Sequence, residues 1–147
     1  MNNSKFSVTK RVAIGKIIGL VFAGLFLAFF AYAGLEISVR NNFVWGVLLL
    51  FMLMGALTGF MGQVTKHPLF KFAQPWWFRG AVIGGFCMLI LVLLAYDSFL
   101  PVMQTSFVAW TGLESPFWSV LDGMFIGMVM EYFETRFGGE GEGLPLV

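Results

Sequence analysis

One cysteine and one histidine in 147 residues close off much of the chemistry open to small proteins. Cys87 alone makes no intrachain disulfide, CxxC redox pair or thiolate zinc site. His67 alone makes no bis-histidine haem within one protomer. Charge is scarce too: Asp, Glu, Lys and Arg make up 12% of the chain, against about 25% in an average soluble domain. A net charge of +1 supplies neither a nucleic-acid surface nor a field for acidic substrates. The chain contains no G-x-S-x-G, no H-E-x-x-H and no phosphate-cradling loop. The expectation is therefore a protein that is no enzyme and takes no cofactor and no metal, though a lipid-modifying site gathered from several segments would leave no such motif.

What the chain has is apolar bulk, with 59% hydrophobic and 18% aromatic residues. About 20 apolar residues cross a bilayer, and four stretches meet that length, at about 12–35, 43–63, 80–96 and 116–133. The expected fold is an all-α integral membrane protein, four transmembrane helices in an antiparallel bundle. Residues 1–11 read as a cytoplasmic tail, 12–135 as the transmembrane domain and 136–147, rich in Gly and Glu, as a flexible cytoplasmic tail.

Orientation follows from the basic residues, eight of nine of which fall on one side of this reading. Lys5, Lys10, Arg11 and Lys16 precede the first stretch or open it, Lys66, Lys71 and Arg79 surround the middle link, Arg136 follows the fourth stretch, and only Arg40 is left outside. Lys/Arg bias in short loops holds that side in the cytoplasm, so the N- and C-termini and the middle link are expected there, with a plasma-type (inner) membrane as the expected location. A secretory signal is the alternative for the N-terminus, since Ala31-Tyr32-Ala33 resembles a cleavage site. The 19-residue run from Ile17 to Leu35 exceeds the roughly 7–15 residues of a signal core and favours a retained span.

The links are short. Trp45, Trp76, Trp77, Trp110 and Trp118 read as interfacial anchors. The middle link, residues 65–79, mixes basic and aromatic residues as a headgroup-bound segment does. The uncharged outer link, 98–113, is expected along the outer interface with a short helix starting at Pro101. Ser115-Pro116 reads as the cap and first turn of the fourth helix.

Each stretch carries a G-x-x-x-G: Gly15 and Gly19, Gly55 and Gly59, Gly80 and Gly84, Gly123 and Gly127. Lipid provides little hydrophobic drive between helices, so close approach at small residues supplies the packing. These glycines concentrate in the cytoplasmic half, whereas bulky side chains fill the outer half, which predicts a bundle tight inside and wider outside. An offset of 68 residues also places Arg11 on Arg79, Ala13 on Ala81, Gly55 on Gly123 and Gly59 on Gly127, a faint internal duplication.

Candidate polar sites are few. Asp122, about 10 Å along the fourth stretch, is an acid at hydrocarbon depth, where insertion costs about 2.5 kcal/mol or more. Glu131, about 24 Å along, approaches the inner interface on nearly the opposite face, so the two make no paired-carboxylate site. Glu131 and Glu134 continue the Gly123–Gly127 stripe toward basic partners such as Arg79 or Lys16, and read as interfacial ion-pair or solvated residues. Asp97 reads as a solvated helix end and His67 as an interfacial residue. Met124 and Met128 could face a soft metal, but methionine scattered through the spans reads as packing.

Two functions are compatible with these features. One is a non-catalytic component that packs with itself, as a homo-oligomer, or with another membrane protein through its glycine faces. The other is a small transporter or channel subunit using Asp122 for a cation or proton. The lipid bilayer is a partner in both, and nucleic acid in neither.

Overall fold

The structure, a computed structural model, describes residues 6–67, 69 and 71–147. Lys5, Pro68 and Phe70, which entered the reading of the N-terminal tail and middle link, lie outside the described residues. The described residues form six α-helices: α1 (Val8–Tyr32), α2 (Asn42–Met61), α3 (Trp76–Leu94), α4 (Tyr96–Met103), α5 (Ser106–Ala109) and α6 (Ser119–Gly138). A 3-10 turn over Pro116–Trp118 leads into α6. Three of them, α1, α2 and α3, are long and apolar enough to cross a membrane, as an integral membrane protein requires. α6 is as long as α2 but carries Asp122, Glu131, Glu134 and Arg136.

Several boundaries differ from the sequence reading. α1 begins at Val8, where the Ser7 hydroxyl caps it by accepting from the Lys10 amide at 3.2 Å. Arg11 thus stands inside the helix and not in a tail. α3 begins at Trp76, so Arg79 is also helical. α6 runs through Arg136 to Gly138, which leaves the fourth segment longer than expected.

The helices associate as two close pairs, α1 with α2 and α3 with α6. On α1 the buried positions Arg11, Gly15, Gly19, Ala23 and Leu27 recur every fourth residue, a stripe along one helix face. Gly15 meets Gly55 backbone to backbone, Gly59 meets Val12, and a Cβ on any of the three glycines would overlap its neighbour. In the second pair Gly80 meets Gly127 and Gly84 meets Gly123 in the same manner. Only glycine permits such approach, and the interhelical dispersion contacts it allows replace the missing hydrophobic drive.

The offset of 68 residues carries one contact onto the other: Val12 and Gly59 become Gly80 and Gly127 (12 + 68 = 80, 59 + 68 = 127). The two pairs share this crossing point. They join through α6, which touches α1 and α2, and through contact between α2 and α3.

The two ends of the assembly are built differently. At one end, called the basic end below, Arg11 and Arg79 lie beside Gly62, Gln74 and Gly139. At the far end α4 enters between the pairs. Phe99, Val102 and Met103 of α4 are buried, and Phe99 makes edge contacts with Phe26, Phe30 and Phe43 at 5.0–6.3 Å. This corrects the expectation of an outer link lying along the interface from Pro101: the helix starts at Tyr96, holds Pro101 inside it and inserts its apolar face into the core. Pairs of aromatic rings at such spacings add stabilisation beyond their burial.

Residues 136–147 are also unlike the flexible tail expected from their composition. Beyond α6 the Val8 amide donates to the Pro145 carbonyl at 3.0 Å, the Thr9 amide to Leu146 at 3.1 Å, and the Gly141 amide to Gly62 at 3.0 Å. The reason is pairing: the free amides of the first turn of α1 find acceptors in this segment, which folds back across the basic end as a strap. The middle link closes on itself through hydrogen bonds from the His67 amide to the Phe72 carbonyl and from the Gln74 amide to the Thr65 carbonyl, at 2.9 and 2.8 Å.

Candidate functional site

The functional-site candidate lies where the two helix pairs meet at the basic end. Arg11, Glu131 and Glu134 are completely buried, and Arg79 is nearly so. Arg11 has room because Gly62 and Gly138 lack side chains: a Cβ on Gly62 would strike the guanidinium, and one on Gly138 the stem. Its Nε donates to the Gly59 carbonyl at 2.9 Å, Nη1 to the Thr135 hydroxyl at 3.2 Å and to the Gly139 carbonyl, and Nη2 to Glu131 at 2.8 Å. All three nitrogens of the rigid fork are engaged.

Arg79 approaches the same carboxylate from α3. Its Nε and Nη2 donate to Glu131 Oε1 at 3.1 and 2.8 Å, its Nη2 also to Glu140 Oε2 at 2.7 Å, and its Nη1 to the Gln74 carbonyl at 2.6 Å. One oxygen of Glu131 thus accepts N–H groups from two guanidiniums, while Glu131 Oε2 has no hydrogen-bond partner. Charge-assisted bonds of this kind are the strong ones, and a buried ion is tolerable only when so compensated.

Glu134, one helical turn on, occupies the crossing of the first pair. Its carboxylate lies against Gly15, where a Cβ would overlap Oε1. Its Oε1 is 2.9 Å from the Thr58 hydroxyl, which is also 3.0 Å from the Met54 carbonyl and 3.2 Å from that of Gly55. Its Oε2 stands 3.6 Å from Arg11 Nη2 and has no hydrogen bond. Gly15 therefore has two tasks, admitting the backbone of Gly55 and the carboxyl of Glu134.

The expected partner Arg79 is in this cluster. Lys16, the other one named, is exposed, and Arg11 stands in its place. Sequence reasoning assigned Arg11 to orientation and Glu140 to a flexible tail, and gave Thr58 no place in a site. The signal for Arg11 was present in its place one four-residue step before Gly15 and two before Gly19 and in its correspondence with Arg79. Glu140 left no such signal.

Asp122 is elsewhere, in the first turn of α6 at the far end. It is exposed on the wall of a cavity of about 400 Å³ between α1 and α6, closed by the α4–α5 region. Phe26, Phe29, Phe30, Phe107 and Trp118 line the cavity, and Ser119 and Thr111 add hydroxyls. Among the described residues Asp122 makes no hydrogen bond or ion pair. Arg40 is not its partner. A second cavity of about 470 Å³ opens between α2 and α3 at the same end, beside Asn42, Phe43 and Asp97.

The tryptophans divide between the ends. Trp45, Trp110 and Trp118 lie at the far end and are substantially exposed, and Trp45 Nε1 donates to the Val39 carbonyl at 2.8 Å. Trp76 and Trp77 lie at the basic end, with the Trp76 ring 5.5 Å from that of Tyr132. His67 stacks on Phe72 at 5.2 Å, Cys87 is buried in α3, and Met124 packs over Gly85. No group of three or more His, Cys, Asp or Glu able to hold a metal occurs among the described residues. No family model, curated protein or solved structure matches the chain.

Proposed function

We propose that the protein is a small four-span carrier of cations, an antiparallel bundle with both termini cytoplasmic in a plasma-type membrane, in which Asp122 holds the cargo. The observation that carries the reading is the carboxylate of Asp122, without a hydrogen bond or ion pair among the described residues, on the wall of a cavity between α1 and α6 at the end opposite the buried ion pairs. A pseudo-repeated bundle with a site at the junction of its repeats is the general plan of secondary carriers. The 20 residues of α6 reach about 30 Å, the thickness of the hydrocarbon core. Two of its acids, Glu131 and Glu134, face protein and not lipid. With Lys and Arg holding the basic end in the cytoplasm, the cavity faces outward.

The lining narrows the cargo. An inorganic cation stripped of water needs several oxygen ligands, and here one carboxylate and two hydroxyls are offered among five aromatic rings. That environment suits a monovalent organic cation with an apolar body, held by charge and by ring faces. The test is uptake of tetraphenylphosphonium into liposomes containing the purified protein. Asp122→Asn should lower uptake to the level of empty liposomes; uptake equal to wild type would overturn the reading.

A second reading, a non-catalytic component that assembles with itself or another membrane protein, is favoured by the mutual satisfaction of Arg11, Glu131 and Arg79, which suits a static lock. The eight motif glycines are used within the chain. A partner would therefore dock on an outward face such as that at Gly24 or Gly46, where an added Cβ meets nothing. Native mass spectrometry of the purified protein, reporting oligomeric state and retained partners, separates the two readings.

A further inference from the structure

We propose that Glu134 is a proton-binding site, occupied while the strap after α6 is docked, and that its proton exchanges against the Glu140–Arg79 ion pair. The inference rests on the buried cluster alone and stands whether or not the protein carries a cation at Asp122.

The first argument is charge. Glu134 touches Arg11 of α1 and the hydroxyl of Thr58 of α2, and Arg11 links it through Glu131 of α6 to Arg79 of α3 and Glu140 of the strap. Two guanidiniums are balanced by Glu131 and Glu140, both of which take direct bonds from them at 2.7–2.8 Å. The carboxyl of Glu134 is the remainder, and ionising it would leave an uncompensated negative charge with no access to solvent.

The second argument is hydrogen bonding. The hydroxyl of Thr58 has one proton and three oxygens within 2.9–3.2 Å: the carbonyls of Met54 and Gly55 and Glu134 Oε1. If Glu134 were ionised, Thr58 would have to desert its backbone acceptor or leave two oxygens in contact without a hydrogen. A proton on Glu134 Oε1 resolves this, since Glu134 donates to Thr58 and Thr58 donates to Met54. The Oε2 atom of Glu134, fully buried and unbonded, is then a neutral carbonyl oxygen, whose lack of a partner costs far less than that of a charged one.

The coupling follows from the same sum. Glu140 is the partly exposed member, with its side chain 41% accessible, and it belongs to the strap. When the strap lifts, Glu140 carries its negative charge into water and the buried groups are left one positive charge in excess. Glu134 restores neutrality by releasing its proton to water through the mouth the strap uncovers, and redocking takes a proton back. Strap position and proton occupancy are thus linked at one site.

Infrared spectroscopy of the full-length protein in lipid nanodiscs tests this through the carboxyl C=O stretch of protonated glutamate, with carbon-13 glutamate labelling to exclude aspartate. Wild type at neutral pH should show the band; Glu134→Gln should remove it and Glu140→Gln should lower it sharply, while Asp122→Asn leaves it in place. Absence of the band from wild type, or its persistence in Glu134→Gln, overturns the site. An unchanged band in Glu140→Gln overturns the coupling. Thermal unfolding supplies an independent arm: a neutral amide replaces a protonated carboxyl closely, so Glu134→Gln should keep its Tm near that of wild type while Glu131→Gln loses most of its stability. Equal losses in the two variants would also count against the proposal.

Discussion

Arg11 and Glu131 lie 2.8 Å apart, neither with any solvent-accessible surface, and they come from the first and last long helices of the chain. Removing one partner from such a pair leaves a buried charge without compensation, at a cost of about 3–5 kcal/mol. Glu131→Ala is expected to unfold at markedly lower temperature in detergent, and Arg11→Met likewise. Arg11→Lys should recover little, because an ammonium cannot reach Gly59, Thr135, Gly139 and Glu131 together. Thermal unfolding of the three variants followed by circular dichroism checks this.

The glycines should differ sharply in tolerance. Gly15→Ala and Gly127→Ala place a methyl group inside the neighbouring helix backbone, and helices that must separate lose dispersion contacts along the whole crossing. Gly24→Ala and Gly46→Ala add the same methyl where nothing lies within 4 Å, and the gain in helix propensity makes them neutral or stabilising. Resistance to unfolding in mixed micelles should therefore fall for the first two variants and hold or rise for the second two.

Asp122 should be separable from folding. Its carboxylate has no partner among the described residues, so Asp122→Asn is expected to change Tm by less than about 0.5 kcal/mol equivalent while abolishing cation binding. Equilibrium dialysis of labelled tetraphenylphosphonium against wild type and variant, with Tm measured on the same preparations, reads both quantities. Trp118→Ala and Phe29→Ala should weaken binding less than loss of the charge, each ring being worth about 0.5–2 kcal/mol toward a cation.

The strap should protect the basic end. Removal of residues 139–147 takes away the carbonyl acceptors of the Val8 and Thr9 amides and the ion pair of Arg79. Hydrogen exchange in the first two turns of α1 and the last turn of α2 is expected to accelerate, while the Gly84–Gly123 crossing, farther along α3 from the strap, keeps its protection. Uniform exchange across both regions would show that the strap holds no local structure.

Much of this molecule can be read from residue order, and the limits have a physical cause. The apolar runs over α1, α2 and α3 depend only on local composition against a solvent of known thickness, so those helices were legible to within a few residues. The glycine stripes were legible for the same reason: a period near four on a helix defines a face. The basic residues near the helix ends carried an orientation signal, but that signal counts charges without saying which of them reach water. Arg11 counted toward the tail and proved to be the most buried cation among the described residues, because burial depends on Gly62, Gly138 and the strap, residues far from it in sequence.

Composition was misleading where tertiary partners overrode it. Residues 138–143 resemble a flexible linker, yet the amides exposed at the start of α1 give the strap something to bind. The outer link lacked charge and was expected along the membrane surface, yet Phe99 finds Phe26, Phe30 and Phe43 between the separated helix pairs. By itself, then, the sequence determined the length and apolar character of three helices, the faces on which glycines would lie and the end at which positive charge collects, because each depends on neighbours within a few turns. Only the tertiary structure decided which charges are buried together, that Glu134 enters the Gly15–Gly55 crossing, and that Asp122 is left without a partner among the described residues. Those outcomes depend on contacts between segments as much as 128 residues apart, and no local pattern encodes them.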